Sequence, residues 1–256
     1  VEIKGKKAVV FGGASGMGRA TAELLAARGA DVAVLDRPGS AGAEVAAAFG
    51  GGFHPVDVTD FDGTEQALAA AVEGLGGLHV AVTTAGGGRA MRTLTKEGPH
   101  DLTAFRQVLD LNAVATFNIS RLAAAHMSRN EPEDPEVTGE RGVIVNTASI
   151  AAFEGQIGQV AYSAAKAAIA GMSLTMARDL GSLGIRVLAI APSLFDTGAL
   201  ERVPAETRAA LVKDAAFPKR MGRPEEYAKL VLAVVDNPML NGQCLRLDAG
   251  QRFAPR

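Results

Sequence analysis

Residues 7–18 read Lys-Ala-Val-Val-Phe-Gly-Gly-Ala-Ser-Gly-Met-Gly. Lys7–Phe11 is a short apolar run rich in β-branched side chains, with the length and character of a buried strand. Gly12, Gly13, Gly16 and Gly18 follow at once, so the chain can turn tightly there. Arg19–Arg28, rich in Ala and Leu and stopped by Gly29, reads as a helix. In a strand, glycine turn and helix of this kind, backbone can approach a pyrophosphate and a helix N-terminus attracts it. The glycine spacing is G-x-x-x-G-x-G rather than G-x-G-x-x-G.

The alternation continues outward from this unit. Strands are predicted at Asp31–Leu35, Gly52–Val56, His79–Thr83, Arg141–Thr147, Ile185–Ile190 and Gln243–Leu247. Helices are predicted at Gly42–Phe49, Thr64–Glu73, Leu102–Ser128, Val160–Leu180 and Pro224–Val235. The strand runs are continuously apolar, so both sheet faces are expected to be covered. That pattern predicts an α/β fold with a doubly wound parallel sheet. No linker or repeat divides the chain, and one domain over residues 1–256 is expected. Two stretches break the alternation. Arg129–Gly142, with two prolines and five acids, reads as a solvated surface loop. Phe195–Arg223 leaves the carboxyl end of a strand, over the ligand crevice of such sheets, and is expected to form a helical substrate lid.

Composition excludes several classes. With 48% hydrophobic and 21% charged residues in 256, the chain can bury a core and is not disordered. A formal net charge of −2 leaves no basic excess for a nucleic-acid backbone. The single Cys244 cannot form an internal disulfide, which fits a reducing, cytoplasmic setting. No apolar run approaches the roughly 18 residues of a membrane span, and the opening residues run straight into the first strand, so no secretory leader is expected. The four histidines show no metal-ligand spacing, and no metal is expected.

Asp36 lies eighteen residues past Gly18, at the predicted end of the second strand. An acid there accepts hydrogen bonds from an adenosine ribose and repels a 2′-phosphate, which favours NAD over NADP. Tyr162 and Lys166 stand at i and i+4, on one helix face. Ser149 closes the strand before that helix, so the three can share a crevice. Oxidising an alcohol with NAD requires a base for the hydroxyl proton, and a free tyrosine, with a pKa of about 10, is a poor one. A lysine ammonium about 4 Å away, at an effective dielectric of ~20, favours phenolate by about 4 kcal/mol. Lys166 is therefore expected to lower the Tyr162 pKa.

Taken together these features resemble the short-chain dehydrogenase/reductase family, a Rossmann fold, over essentially the full length. The matching residues are Gly12–Gly18, Asp57-Val58, Ala85-Gly86, Asn112, Ser149, Tyr162-x-x-x-Lys166 and the run from Pro192 to Thr197. Within it, Asn146–Gln156, Ala177–Leu180, Ile190–Phe195 and Asn241–Asp248 are similar to the type II 3-hydroxyacyl-CoA dehydrogenase branch, also described as a 17β-hydroxysteroid dehydrogenase. The chain departs from the family pattern at Phe11, at Thr83-Thr84 and at Ser193.

The resemblance implies that Tyr162 is the catalytic base, Lys166 binds the nicotinamide ribose, Ser149 polarises the substrate, and Asn112 holds a water in a proton relay. Gln156 joins Ser149 and Tyr162 around the substrate. Gly12, Ser15, Gly16, Met17, Gly18, Asp36, Asp57, Val58, Ala85, Gly86, Pro192, Phe195 and Thr197, with Tyr162 and Lys166, would hold NAD. It also implies a homotetramer and interconversion of 3-hydroxyacyl-CoA and 3-oxoacyl-CoA. Alternatives are a 3-oxoacyl carrier-protein reductase, a hydroxysteroid dehydrogenase and a non-catalytic NAD-sensing scaffold.

Overall fold

A computed structural model describes residues 2–198, 206 and 210–255. In chain order its main elements are β1 (Lys7–Phe11), α1 (Gly16–Ala27), β2 (Asp31–Asp36), α2 (Gly42–Ala48), β3 (Gly52–Pro55), α3 (Phe61–Leu75) and β4 (Val80–Thr83). A small hairpin, β5 (Leu94–Thr95) and β6 (Gly98–Pro99), precedes α4 (Leu102–Leu109). Then follow α5 (Ala115–Met127), β7 (Gly142–Thr147), α6 (Val160–Leu180), β8 (Ile185–Pro192), α7 (Pro224–Asp236) and β9 (Cys244–Leu247). Apart from the hairpin, the strands form one seven-stranded sheet in the order β3-β2-β1-β4-β7-β8-β9, and every pair is parallel.

The continuous apolar strands have a direct structural reason. Successive side chains of a strand point to opposite faces. Ala8, Val10, Val32, Val34, Val143 and Val145 meet Leu25 of α1 and Tyr227 and Val231 of α7 in one core. Val9, Phe11, Ala33, Leu35 and Ile144 meet Leu68 of α3, Ile119 and Met127 of α5 and Met176 of α6 in another. A polar residue on either face would be buried without water, so the runs contain almost none.

Thr83, Asn146 and Thr147 are buried polar exceptions, and Arg186 is a buried charged one. It sits at the amino end of β8, 6% exposed. Its Nε donates to Glu140 at 2.6 Å, and its terminal nitrogens donate to the carbonyls of Val234, Val235 and Leu240 at 2.8 Å and of Asn237 at 3.2 Å. One guanidinium thus satisfies main-chain carbonyls at the end of α7 and beyond it, groups that a helix leaves without partners. Glu140 belongs to the stretch expected to be a solvated loop, yet it is 5% exposed. The acid-rich stretch is therefore held to the fold through Glu140, as it is through Glu133, which pairs with Lys6, and Asn130, whose amide donates to the Leu78 carbonyl at 2.6 Å.

The predicted helix Leu102–Ser128 is continuous but not uniform. Asp110–Val114, between α4 and α5, is a π-helical turn that carries Asn112. The carboxyl edge of the sheet gathers the ends of β1, β2, β4 and β7. The middle of the expected lid, residues 199–205 and 207–209, lies outside the described residues; Phe195 at its start and Val212 and Met221 near its end are described.

Candidate active site

After β1 the chain turns through Gly12, whose φ of +78° disfavours any side chain. A Cβ on Gly12 would stand 2.6 Å from the Ala85 nitrogen, and one on Gly18 would stand 2.1 Å from the Gly12 carbonyl oxygen. The turn closes only with glycine at both positions. Thr84 braces it, its hydroxyl placed 3.0 Å from the Phe11 carbonyl oxygen and 3.2 Å from that of Gly12. This departure from the family pattern therefore supplies loop support of its own. α1 begins at Gly16, three residues before the predicted start, with no acid in its first turn and no side-chain cap from Ser15. Its first N–H groups and its dipole remain available to an anion.

A cleft of about 370 Å³ runs along this edge. Gly12, Ser15, Gly16, Met17, Gly18, Asp36, Asp57, Val58, Ala85, Gly86 and Thr197 line it, all singled out from the sequence. Leu35, Arg37, Val56, Thr84 and Leu111 line it too. Leu35, Arg37, Val56 and Thr84 stand at or beside strand ends, and Leu111 is the neighbour of Asn112 in the π-turn. The Asp36 carboxylate accepts the Ala14 N–H at 2.9 Å and the Arg37 N–H at 2.7 Å, so it stands fixed at one end of the cleft. Asp57 accepts from both the N–H and the hydroxyl of Thr59, which hold its carboxyl below the usual range. Two glycines without room for a Cβ, an uncapped helix N-terminus and an anchored carboxylate suit a dinucleotide, with pyrophosphate at α1 and ribose hydroxyls at Asp36.

Two expected members stand elsewhere. Pro192 is buried at the end of β8, opposite Leu247. Phe195 is 6% exposed, its ring edge-on to Tyr227 at 6.5 Å and tight against Gly222, where a Cβ would lie 2.6 Å away. Burial of a large aromatic surface draws the ring into the core and away from the cleft.

The chemistry-bearing group lies beside Gly86. Ser149 is 8% exposed at the end of the β7 segment, its Oγ accepting the Ala151 N–H at 3.2 Å. Tyr162 and Lys166 occupy the first turns of α6. The Lys166 Nζ donates to the Thr147 carbonyl at 2.8 Å, lies 5.6 Å from the centroid of the Tyr162 ring, and would be 3.2 Å from a Cβ on Gly86. It therefore bridges the cleft wall and the tyrosine. Gly88 cradles the same ring, since a Cβ there would come within 2.7 Å of it.

The electrostatics correct the sequence expectation. Tyr162 is raised above the usual tyrosine value, because burial disfavours the phenolate more than the Ser149 hydrogen bond favours it. Lys166, fully enclosed, is itself pushed down to about 8 by burial. The expected lowering takes a charged ammonium about 4 Å from the phenol at an effective dielectric of ~20. Here the lysine faces a main-chain carbonyl, and desolvation dominates at both groups.

The side chains of Asn112 and Gln156 are both hydrogen-bonded to main chain, Asn112 beside Gly86 in the cleft wall. The Asn112 side chain donates to the Gly87 carbonyl at 2.7 Å and the Val108 carbonyl at 2.8 Å, and accepts the Gly87 N–H at 3.1 Å. The side chain thereby clamps the Gly86–Gly87 turn. The π-turn brings it there, and such turns recur at functional sites. The Gln156 amide donates to the Ala254 carbonyl at 3.1 Å. Among the described residues no group of three or more His, Cys, Asp and Glu side chains could hold a metal, and no helix is long and apolar enough to cross a membrane.

Comparison with known proteins gives a consistent picture. The family model described as short chain dehydrogenase matches residues 6–208. A 3-hydroxyacyl-CoA dehydrogenase type-2 of Drosophila melanogaster is 49% identical, the match covering 99% of this chain and 100% of that protein. The Homo sapiens protein of the same name is 48% identical over 99% of this chain and 97% of its own length. A crystal structure of 3-hydroxyacyl-CoA dehydrogenase type-2 from Mycobacterium avium superposes with a TM-score of 0.94, at 42% identity and 98% coverage of both chains.

Proposed function

We propose, from the premise that this chain belongs to the short-chain dehydrogenase family, that it interconverts 3-hydroxyacyl-CoA and 3-oxoacyl-CoA with NAD. The observation that carries the reading is the position of Lys166, buried between the Gly86 wall of the dinucleotide cleft and the Tyr162 ring. A nicotinamide cofactor held in this cleft would supply hydride acceptance or donation. The chain's own residues do the rest. Gly12, Gly16 and Gly18 let backbone approach the pyrophosphate, and Asp36 receives ribose hydroxyls. Ser149 holds the substrate oxygen, and Tyr162 takes or gives its proton. Lys166, anchored on the Thr147 carbonyl, orients the nicotinamide ribose. A non-catalytic NAD-sensing scaffold would not require Ser149, Tyr162 and Lys166 to converge beside the cleft.

NADH absorbance tests both halves of the proposal. Acetoacetyl-CoA is expected to be reduced with higher kcat/KM than a short acetoacetate ester, because binding energy from the remote CoA handle assists the reaction. NADH is expected to be preferred over NADPH, and Asp36→Ala should narrow that gap by relieving repulsion of the 2′-phosphate. Equal efficiency for the ester and the thioester, a preference for steroid ketones over both, or parity of NADH and NADPH would each overturn the matching part.

The family resemblance also leads us to infer a homotetramer, and the helix surface supports it. α5, α6 and the turn after α6 leave Phe117, Leu174 and Leu183 between 40% and 47% exposed, and Phe117, Met176, Leu180 and Leu183 line an apolar groove of about 340 Å³. A helix apolar on both sides calls for cover from a second copy. Light scattering at micromolar concentration should give four times the chain mass, and a monomeric mass would end the inference.

A further inference from the structure

Ser149 and Tyr162 sit on different elements, joined by the turn Ile150–Ala152 and the loop from Phe153 to Gly158. That loop has no strand or helix of its own. It is held by the last residues of the chain. The Ile157 N–H donates to the Pro255 carbonyl at 3.0 Å, and the Gln156 side chain donates to the Ala254 carbonyl at 3.1 Å. In return, the Phe253 N–H donates to the Glu154 carboxylate at 3.1 Å. Glu154 also meets Arg246 at 2.8 Å and Arg252 at 3.3 Å, and both arginines reach Asp248, at 2.6 and 3.1 Å. The Arg246 guanidinium lies over the Phe153 ring, 5.6 Å from its centroid.

We propose that the tail Phe253–Pro255 is a positioning strap that fixes the loop between Ser149 and Tyr162, with Glu154 as its buckle. The strap acts beyond the loop. The Gly158 carbonyl accepts the Met91 N–H at 2.8 Å, which ties the loop to the segment whose Gly88 cradles the Tyr162 ring. The same loop walls a hollow of about 430 Å³ beside α6. A loop without its strap samples many conformations, and the substrate must then select the competent one. The cost falls on apparent affinity rather than on the chemical step. This inference rests on the assignment of Ser149 and Tyr162 to the reacting end of the substrate.

The test compares the full chain with a chain lacking residues 253–256 and with Glu154→Ala and Glu154→Gln. Amide hydrogen exchange of the 150–159 segment should quicken about tenfold in the shortened chain, as its hydrogen bonds to the tail are lost. KM for acetoacetyl-CoA should rise about fivefold to tenfold, while kcat and NADH affinity stay within about twofold. Glu154→Gln still offers an oxygen to the Phe253 N–H and should fall between wild type and Glu154→Ala. Unchanged exchange in the loop would overturn the strap, as would a loosened loop with unchanged KM. Loss of NADH affinity together with a lowered Tm would show general support of the fold instead and overturn the positioning role. Failure of the full chain to reduce acetoacetyl-CoA would refute the substrate reading alone, because the exchange comparison decides the strap without turnover.

Discussion

Tyr162→Phe is expected to lower turnover by about 10²–10⁴ while NADH still binds, because the ring keeps its packing and only the hydroxyl is lost. The pH profiles of the unmodified enzyme should point to the same group. Burial holds Tyr162 above the usual value, so the protonated phenol predominates at neutral pH. That is the form that gives a proton to a ketone oxygen. Ketone reduction should therefore hold through neutral pH and fall only as pH rises through the tyrosine pKa. Alcohol oxidation needs the phenolate and should climb toward alkaline pH. Steady-state rates in both directions from about pH 6 to 10 would check this. Near-normal turnover of Tyr162→Phe, or oxidation that falls as pH rises from neutrality, would remove Tyr162 from the proton transfer.

The second large effect is on stability. Arg186→Met removes the cation beside Glu140 and the donors to four carbonyls at and beyond the end of α7. Breaking a buried ion pair from one side costs about 3–5 kcal/mol, and carbonyls deprived of donors add to that. Urea denaturation should show the loss as a lowered midpoint. Arg186 lies at the amino end of its strand, at the opposite edge from the cleft, so kcat measured well below the transition should be nearly unchanged. A change in stability under about 1 kcal/mol would show that the end of α7 finds other donors.

These two residues mark what a sequence reveals and what it hides. The strands were legible because a sheet buried on both faces demands unbroken apolar runs, as in Ala8–Phe11 of β1 and Val32–Leu35 of β2. The glycine turn was legible because close backbone approach excludes every other residue. Tyr162 and Lys166 were legible as a pair on one helix face. The sign of their electrostatics was not, since it depends on how completely α6 and the Thr147 carbonyl enclose them. Arg186 was visible as a lone charge in an apolar strand, but its partner Glu140 was masked by four other acids in a stretch that reads as solvated. The π-turn left no trace, because Asp-Leu-Asn-Ala-Val reads as ordinary helix. The tail's contacts with Glu154 and Gln156 join residues 99 and 98 positions apart, beyond any local pattern.

The π-turn also restricts which changes of length the chain can accept. Each residue of an α-helix advances the next by about 100°, and a π-turn accommodates one residue more than a regular turn. Asn112 must face the Gly87 turn, while Ile119, Ala123 and Met127 must face the sheet. Deleting one residue between 110 and 114 would restore a regular helix and remove the bulge that presents Asn112 to the Gly87 turn. Inserting a further one would rotate the helix on one side by about 100° relative to the other. The span from Leu102 to Met127 is therefore fixed in length, and a one-residue change within it is expected to cost more stability than one in the loop after α5.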